Sequence, residues 1–144
     1  MSLVSEFNDY RSRMNERIMA NADVNLKRFW ALDASTYQEG HLPVKTKEML
    51  GLISSMVLRC DDCIRYHLEK CHEAGVSTPE LIEIFMIANL VGGSIVIPHT
   101  RRAMEYWEEL LNLKTSRSPR INFNEKLFGN LAFFSGCNSF LVVC

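Results

Sequence analysis

Two cysteines and a histidine fall on one short stretch of the chain: Cys60, Cys63 and His67. On a helix, a Cys-x-x-Cys pair stands one turn apart, close enough to close a disulfide or to share a metal ion. At about 100° per residue, Cys60, Cys63, Ile64, His67, Cys71 and Ala74 share one face, while Asp61, Asp62, Arg65, Glu69, His72 and Glu73 turn away from it. The dithiol and His67 are therefore expected on an inward, apolar-flanked face, where pKa values are tuned. Cys60 begins its helix, and the unpaired N–H groups and dipole of a helix start favour a thiolate, the nucleophilic form. Arg59 acts in the same direction and Asp61 and Asp62 act against it.

Other chemistry is open to the same residues. Zinc would use Cys60, Cys63 and His67, but structural zinc usually draws its ligands from more than one element, and no second Cys-x-x-Cys is present. Purely structural cysteines are a further alternative. Cys71 reads as a packing residue and His72 as an exposed histidine.

The elements that must carry these residues are helical. Leu3, Phe7, Tyr10, Met14 and Ile18 form a stripe on a first helix ending near Asn21. Asp23 is a candidate N-cap for a second, which Gly40 is expected to end. Pro43 suits the start of a third, with the stripe Met49, Leu52, Ile53 and Met56. A fourth runs from about Cys60 to Gly75. Thr78 as N-cap and Pro79 open a fifth, apolar almost all round from Leu81 to Val91, which must be buried on most sides. Gly92-Gly93 breaks it, and a last helix holds Met104, Trp107, Leu110 and Leu111. We expect an all-α bundle of about six helices over residues 1–113, followed by an extension, 114–144, of unknown role. Within that extension a short helix near Phe123–Phe134 and a strand near Phe140–Val143 are expected.

Composition narrows the function classes. A length of 144 residues fits one domain with a sizeable core, and a hydrophobic fraction of 47% excludes disorder by composition. A net charge of −1 gives no electrostatic reason to expect nucleic acid or an anionic membrane as partner. No apolar run reaches transmembrane length and the start lacks a signal-peptide layout, so a cytoplasmic location is expected. The cysteine count is five, an odd number that argues for reactive or buried thiols over a disulfide framework.

The spacing Glu48, Cys60, Cys63, His67 resembles the active-site motif of the alkyl hydroperoxidase D-like proteins, within the carboxymuconolactone decarboxylase superfamily. The resemblance spans roughly residues 40–113. It includes Val44-Lys-Thr-Lys-Glu48, the run Leu58-Arg-Cys-Asp-Asp-Cys-Ile-Arg-Tyr-His67, Ala74-Gly75 and Asn89-Leu-Val-Gly-Gly93. It implies an all-helical fold assembling as a homotrimer or homohexamer. It also implies a thiol peroxidase or disulfide reductase that takes a hydroperoxide substrate and a dithiol reductant or adaptor protein; no cofactor and no bound metal are expected. The implied roles are Glu48 as base, Cys60 and Cys63 as the redox pair, and His67 in the proton relay. In one place the chain departs from the peroxidase type, which often carries a second histidine where Asp62 stands. The first forty residues and the tail add no motif.

Geometry gives the relay an order. If residues 44–58 and 60–74 are antiparallel helices joined at Arg59, Glu48 lies ~15 Å from the turn. His67 lies nearly as far down the partner helix, so Glu48 is expected to reach His67, and His67 to reach Cys63. Two other functions remain open: a decarboxylase-like enzyme acting on a small carboxylated lactone, and a redox-responsive scaffold without turnover.

Overall fold

Most helices begin where the sequence supplies a cap. In the computed structural model, which describes residues 2–117, α1 (Leu3–Asn21) is capped by Ser2, whose side chain accepts from the Ser5 N–H. Asp23 caps α2 (Val24–Thr36) by accepting from the Leu26 N–H at 2.8 Å. α3 (Val44–Val57) follows Pro43, and α4 (Asp61–Glu73) has Cys60 as its N-cap. α5 (Thr78–Gly92) ends at Gly93, which takes a positive φ of 77°, and a single 3₁₀ turn, Ser94–Val96, leads into α6 (Ile97–Arg117). The fold is all-α with six helices, as expected, and no strand occurs among the described residues.

Two boundaries differ from those expected. α2 stops at Thr36 rather than at Gly40 because the Lys47 ammonium takes the carbonyls of Thr36 and Gln38 at 2.8 and 2.7 Å, satisfying groups that further helix would have used. The cap of α5 is Ser77, not Thr78. Ser77 and Glu80 form a reciprocal capping box, while the Thr78 hydroxyl accepts from the Trp107 indole N–H at 3.1 Å.

The core lies between the α3–α4 hairpin and the pair α5 and α6. Leu52, Met56, Leu68, Leu81, Ala88 and Trp107 are fully buried there. α1 joins this body along α6. Its start is held by the Glu109 carboxylate, which accepts from the Leu3 and Val4 N–H groups at 3.1 and 3.2 Å, and Phe7 meets Tyr106 edge-on.

Two helices are left partly bare. α5 buries Leu81, Ile84, Phe85 and Ala88 but exposes Ile82, Met86, Ile87, Leu90 and Val91, so its apolar circumference is not covered within one chain as expected. α2 has no buried residue, and Phe29 and Leu32 are 63% and 62% exposed. α6 continues to Arg117, beyond the boundary expected at 113. The short helix and strand expected within residues 118–144 lie outside the described residues. No described helix is long and apolar enough to cross a membrane.

Candidate functional site

The turn between α3 and α4 creates the site. Arg59 adopts the left-handed conformation, φ 61°, which L side chains rarely take. The reversal is closed by backbone bonds from the Arg59 N–H to the Met56 carbonyl and from the Cys60 N–H to the Ser55 carbonyl, both 3.1 Å. Cys60 thus sits at the mouth of α4, and its sulfur accepts from the Cys63 N–H at 3.3 Å. Cys60 and Cys63 are joined as a disulfide with their Cα atoms 5.3 Å apart. The expectation that the dithiol shares an inward face is corrected here: Cys60 is half-buried and Cys63 exposed. Helical periodicity fixes the direction a residue faces, but the first turn of α4 projects past the end of the core. Ile64, His67, Leu68 and Cys71, further along the same helix, are buried.

His67 and Glu48 meet inside the hairpin. The ring nitrogen Nδ1 of His67 is 2.8 Å from Oε2 of Glu48, and both side chains are buried. In the neutral ring, Nδ1–H donates to the carboxylate and Nε2 is left as the proton acceptor. Tyr37 and Tyr66 flank the imidazole with ring centroids 5.1 and 5.2 Å away. The hairpin can close this tightly because residue 51 is glycine. A Cβ there would lie 2.6 Å from Cε1 of His67 and 2.8 Å from both Nδ1 and the Tyr37 hydroxyl. Burial raises the Tyr37 phenol above its ordinary range and the nearby Glu48 carboxylate adds to it, so Tyr37 stays protonated.

The disulfide side has its own polar cluster. Asp61, directly after Cys60, is bound from α6 by Nδ1 of His99 at 2.7 Å and by the Arg102 guanidinium at 3.1 Å. Partial burial alone would raise the Asp61 carboxyl, but the hydrogen bonds from His99 and Arg102 outweigh it and hold it below the ordinary carboxylate range. Asp62 is more exposed and pairs loosely with Arg65 at 3.5 Å. His99, Arg102, Tyr37 and Gly51 were not among the residues singled out from sequence. Only the i,i+3 spacing of His99 and Arg102 hinted that they act together.

A cavity of about 450 Å³ opens beside these groups. Cys63, Tyr66, His67 and Asp62 form one wall, and Phe7, Tyr10, Arg11, Met14 and Ile18 of α1 form the other. The Arg11 guanidinium sits 4.3 Å above the Tyr66 ring. The first forty residues, which carry no motif, thus supply much of the cavity's lining. Of the α1 stripe, Phe7 lies in the core, joined there by Val4 from beside it, while Tyr10, Met14 and Ile18 face the cavity.

The remaining candidates fall outside. Cys71 is buried in the core, its thiol pushed up to about 12 by burial, with Glu48 adding to the effect. His72 is half-buried, not exposed as expected, and packs edge-on against Trp107 with ring centroids 5.5 Å apart. Among the described residues no group of three or more His, Cys, Asp and Glu side chains converges to hold a metal ion.

The profile of the carboxymuconolactone decarboxylase family matches residues 25–106. The chain belongs to this family. Two crystal structures of a Thermotoga maritima member are 50% identical to it, with TM-scores of 0.75 and 0.74. They cover 77% of this chain and 97% and 94% of their own. Involvement of that protein in an antioxidative response has been suggested. A Legionella pneumophila family member, 22% identical over 74% of this chain and 95% of its own, has the same fold with a TM-score of 0.68. An uncharacterised Cupriavidus necator protein is 24% identical over 59% of this chain and 75% of its own length. Within this carboxymuconolactone decarboxylase family fold, the α3–α4 hairpin is the element that brings Glu48 and His67 together beneath the cysteine pair.

Proposed function

We propose that this family member is a thiol-dependent oxidoreductase that reduces hydroperoxides, with Cys60 and Cys63 as the redox pair and Glu48 and His67 as a proton relay. The observation that carries the reading is the buried Glu48–His67 pair, whose His67 lines the same cavity as Cys63. In the reduced protein, Nε2 of His67 accepts the Cys63 proton, directly or through a water, while Glu48 holds the ring in the required tautomer and offsets its positive charge. The Cys63 thiolate attacks the terminal oxygen of the hydroperoxide. An S–O bond forms, the O–O bond breaks, and the alkoxide leaves as an alcohol with the relay proton. Cys60 then attacks the sulfenic sulfur, the S–S bond forms and water is released. A dithiol donor reopens the disulfide by exchange through a mixed disulfide, itself becoming oxidised. Exposure of Cys63 supports access by such a donor. A reducing compartment such as the cytoplasm fits a pair that must be regenerated in this way.

The test is consumption of a hydroperoxide by the reduced protein with a supplied dithiol, alongside Cys60→Ser and Cys63→Ser. Turnover by the parent and its loss in both variants is expected. Cycling of the disulfide without peroxide consumption would reduce the reading to a disulfide reductase, and no cycling at all would overturn it.

A further inference from the structure

The two acidic residues between the cysteines pose an electrostatic problem. A thiolate at the start of α4 is favoured by the helix dipole, yet Asp61 and Asp62 place two carboxylates in the same first turn. Asp62 points outward and has Arg65 beside it, whereas Asp61 is gripped by residues 38 and 41 positions further along the chain. Nothing in the proton relay uses that grip: Glu48 and His67 act from α3 and the inner side of α4, and His99 and Arg102 reach in from α6.

We propose that His99 and Arg102 are positioning residues that act through Asp61 to keep the Cys60 sulfur acidic. Arg102 can only donate, and it reaches the two carboxylate oxygens of Asp61 at 3.1 Å each. Nδ1 of His99 lies 2.7 Å from Oδ1, a separation that needs a proton between the two atoms, so Nδ1–H donates to the carboxylate. The 2.9 Å approach of the Arg102 guanidinium to that same nitrogen is then a by-product of both groups converging on Asp61. The negative charge of Asp61 is thereby met by a full positive charge and an N–H dipole. What Cys60 senses from this corner is close to neutral, and the dipole of α4 prevails. The other charges near the pair are Arg59 before it, Asp62 with Arg65 along α4, and the Glu48–His67 pair within the hairpin.

This proposal rests on the reading of Cys60 and Cys63 as a redox pair, but it is tested on thiol acidity and not on turnover, so the two fail separately. The experiment measures alkylation rate against pH in reduced Cys63→Ser protein, followed on the tryptic peptide from Cys60 to Arg65, which then holds one thiol. Arg102→Gln uncovers the Asp61 charge and should slow Cys60 alkylation at neutral pH by roughly three- to tenfold, with the profile moved to higher pH. His99→Asn should move it in the same direction by less. Arg102→Lys should restore most of the parent rate. Asp61→Asn should leave the rate at or above that of the parent, and the Asp61→Asn, Arg102→Gln double variant, whose corner is again neutral, should alkylate at close to the parent rate. An unmoved profile in Arg102→Gln would overturn the proposal. So would a double variant as slow as Arg102→Gln alone, because the uncovered Asp61 charge would then play no part in the slowing.

Discussion

The Glu48 carboxylate, on the second turn of α3, lies 2.8 Å from the His67 ring on α4, and the two side chains are only 4% and 9% exposed. A carboxylate so placed fixes the tautomer of the imidazole and leaves Nε2 free to take a proton. Replacing Glu48 by Gln keeps the shape and removes the charge. We expect roughly a hundredfold loss of Cys63 reactivity with hydroperoxide. His67→Ala leaves the carboxylate buried without its partner and should also cost about 3 kcal/mol of stability. Stopped-flow peroxide reduction and chemical denaturation separate the two effects. A Glu48→Gln protein with parental kinetics would remove the relay.

Gly51 is the second test of the same geometry. A methyl group there would run into the edge of His67 that faces Glu48 and into the Tyr37 hydroxyl. Gly51→Ala should destabilise the fold by about 1–3 kcal/mol through overpacking and lower thiol reactivity by displacing the ring. A crystal structure of the variant with the Glu48–His67 contact unchanged would contradict this.

Glu80 gives a pH dependence with a definite sign. Its carboxyl is lowered from 4.5 to about 2, first by the hydrogen bond from Lys45 and then by the Ser77 cap. A depressed folded-state pKa means that the unfolded chain takes up protons first as pH falls. The stabilisation is therefore present above pH 4.5 and is lost as pH falls towards about 2. Denaturation midpoints of the parent and Glu80→Gln should differ near neutral pH and converge across that window. A difference that persists below it would show that Glu80 acts by other means.

The left-handed Arg59 turn sets a further comparison. Arg59→Gly relieves a conformation that a Cβ disfavours, whereas Arg59→Val worsens it. The valine protein should be less stable than the glycine protein by about 1–2 kcal/mol in urea denaturation.

Assembly is the last prediction. On α5, Met86, Leu90 and Val91 are 69%, 86% and 68% exposed, and α2 adds Phe29 and Leu32. Apolar area of this kind on a small chain calls for a partner, and a second copy is the simplest one. Light scattering should report a trimer or hexamer of the 16.6 kDa chain, and Met86→Glu with Leu90→Glu should lower the mass. A parent that is monomeric at micromolar concentration would refute it.

The helices were legible in the sequence because their apolar stripes repeat at helical spacing and because Asp23, Pro43 and Gly75 mark ends by local chemistry. The Glu48–His67 contact was legible for a related reason: both residues lie on consecutive helices at matched distances from Arg59. Contacts between elements far apart in the chain were not. No spacing links Asp61 to His99 and Arg102, or Tyr10 and Met14 to Cys63, since these meetings depend on how α6 and α1 dock. Periodicity also assigned a face to Cys63 without telling how near it lay to the end of the core, and so its exposure was missed.

The cavity wall formed by α1 precedes residue 25, where the family match begins. The sulfur pair and the acid–base pair lie inside the matched residues, while much of the lining of the cavity beside them comes from the helix in front. The groups read as reactive and the groups that line their approach are carried by different helices in such a layout. Under the proposed function, α1 can therefore change the approach to the thiols without altering the Glu48–His67 pair that serves them.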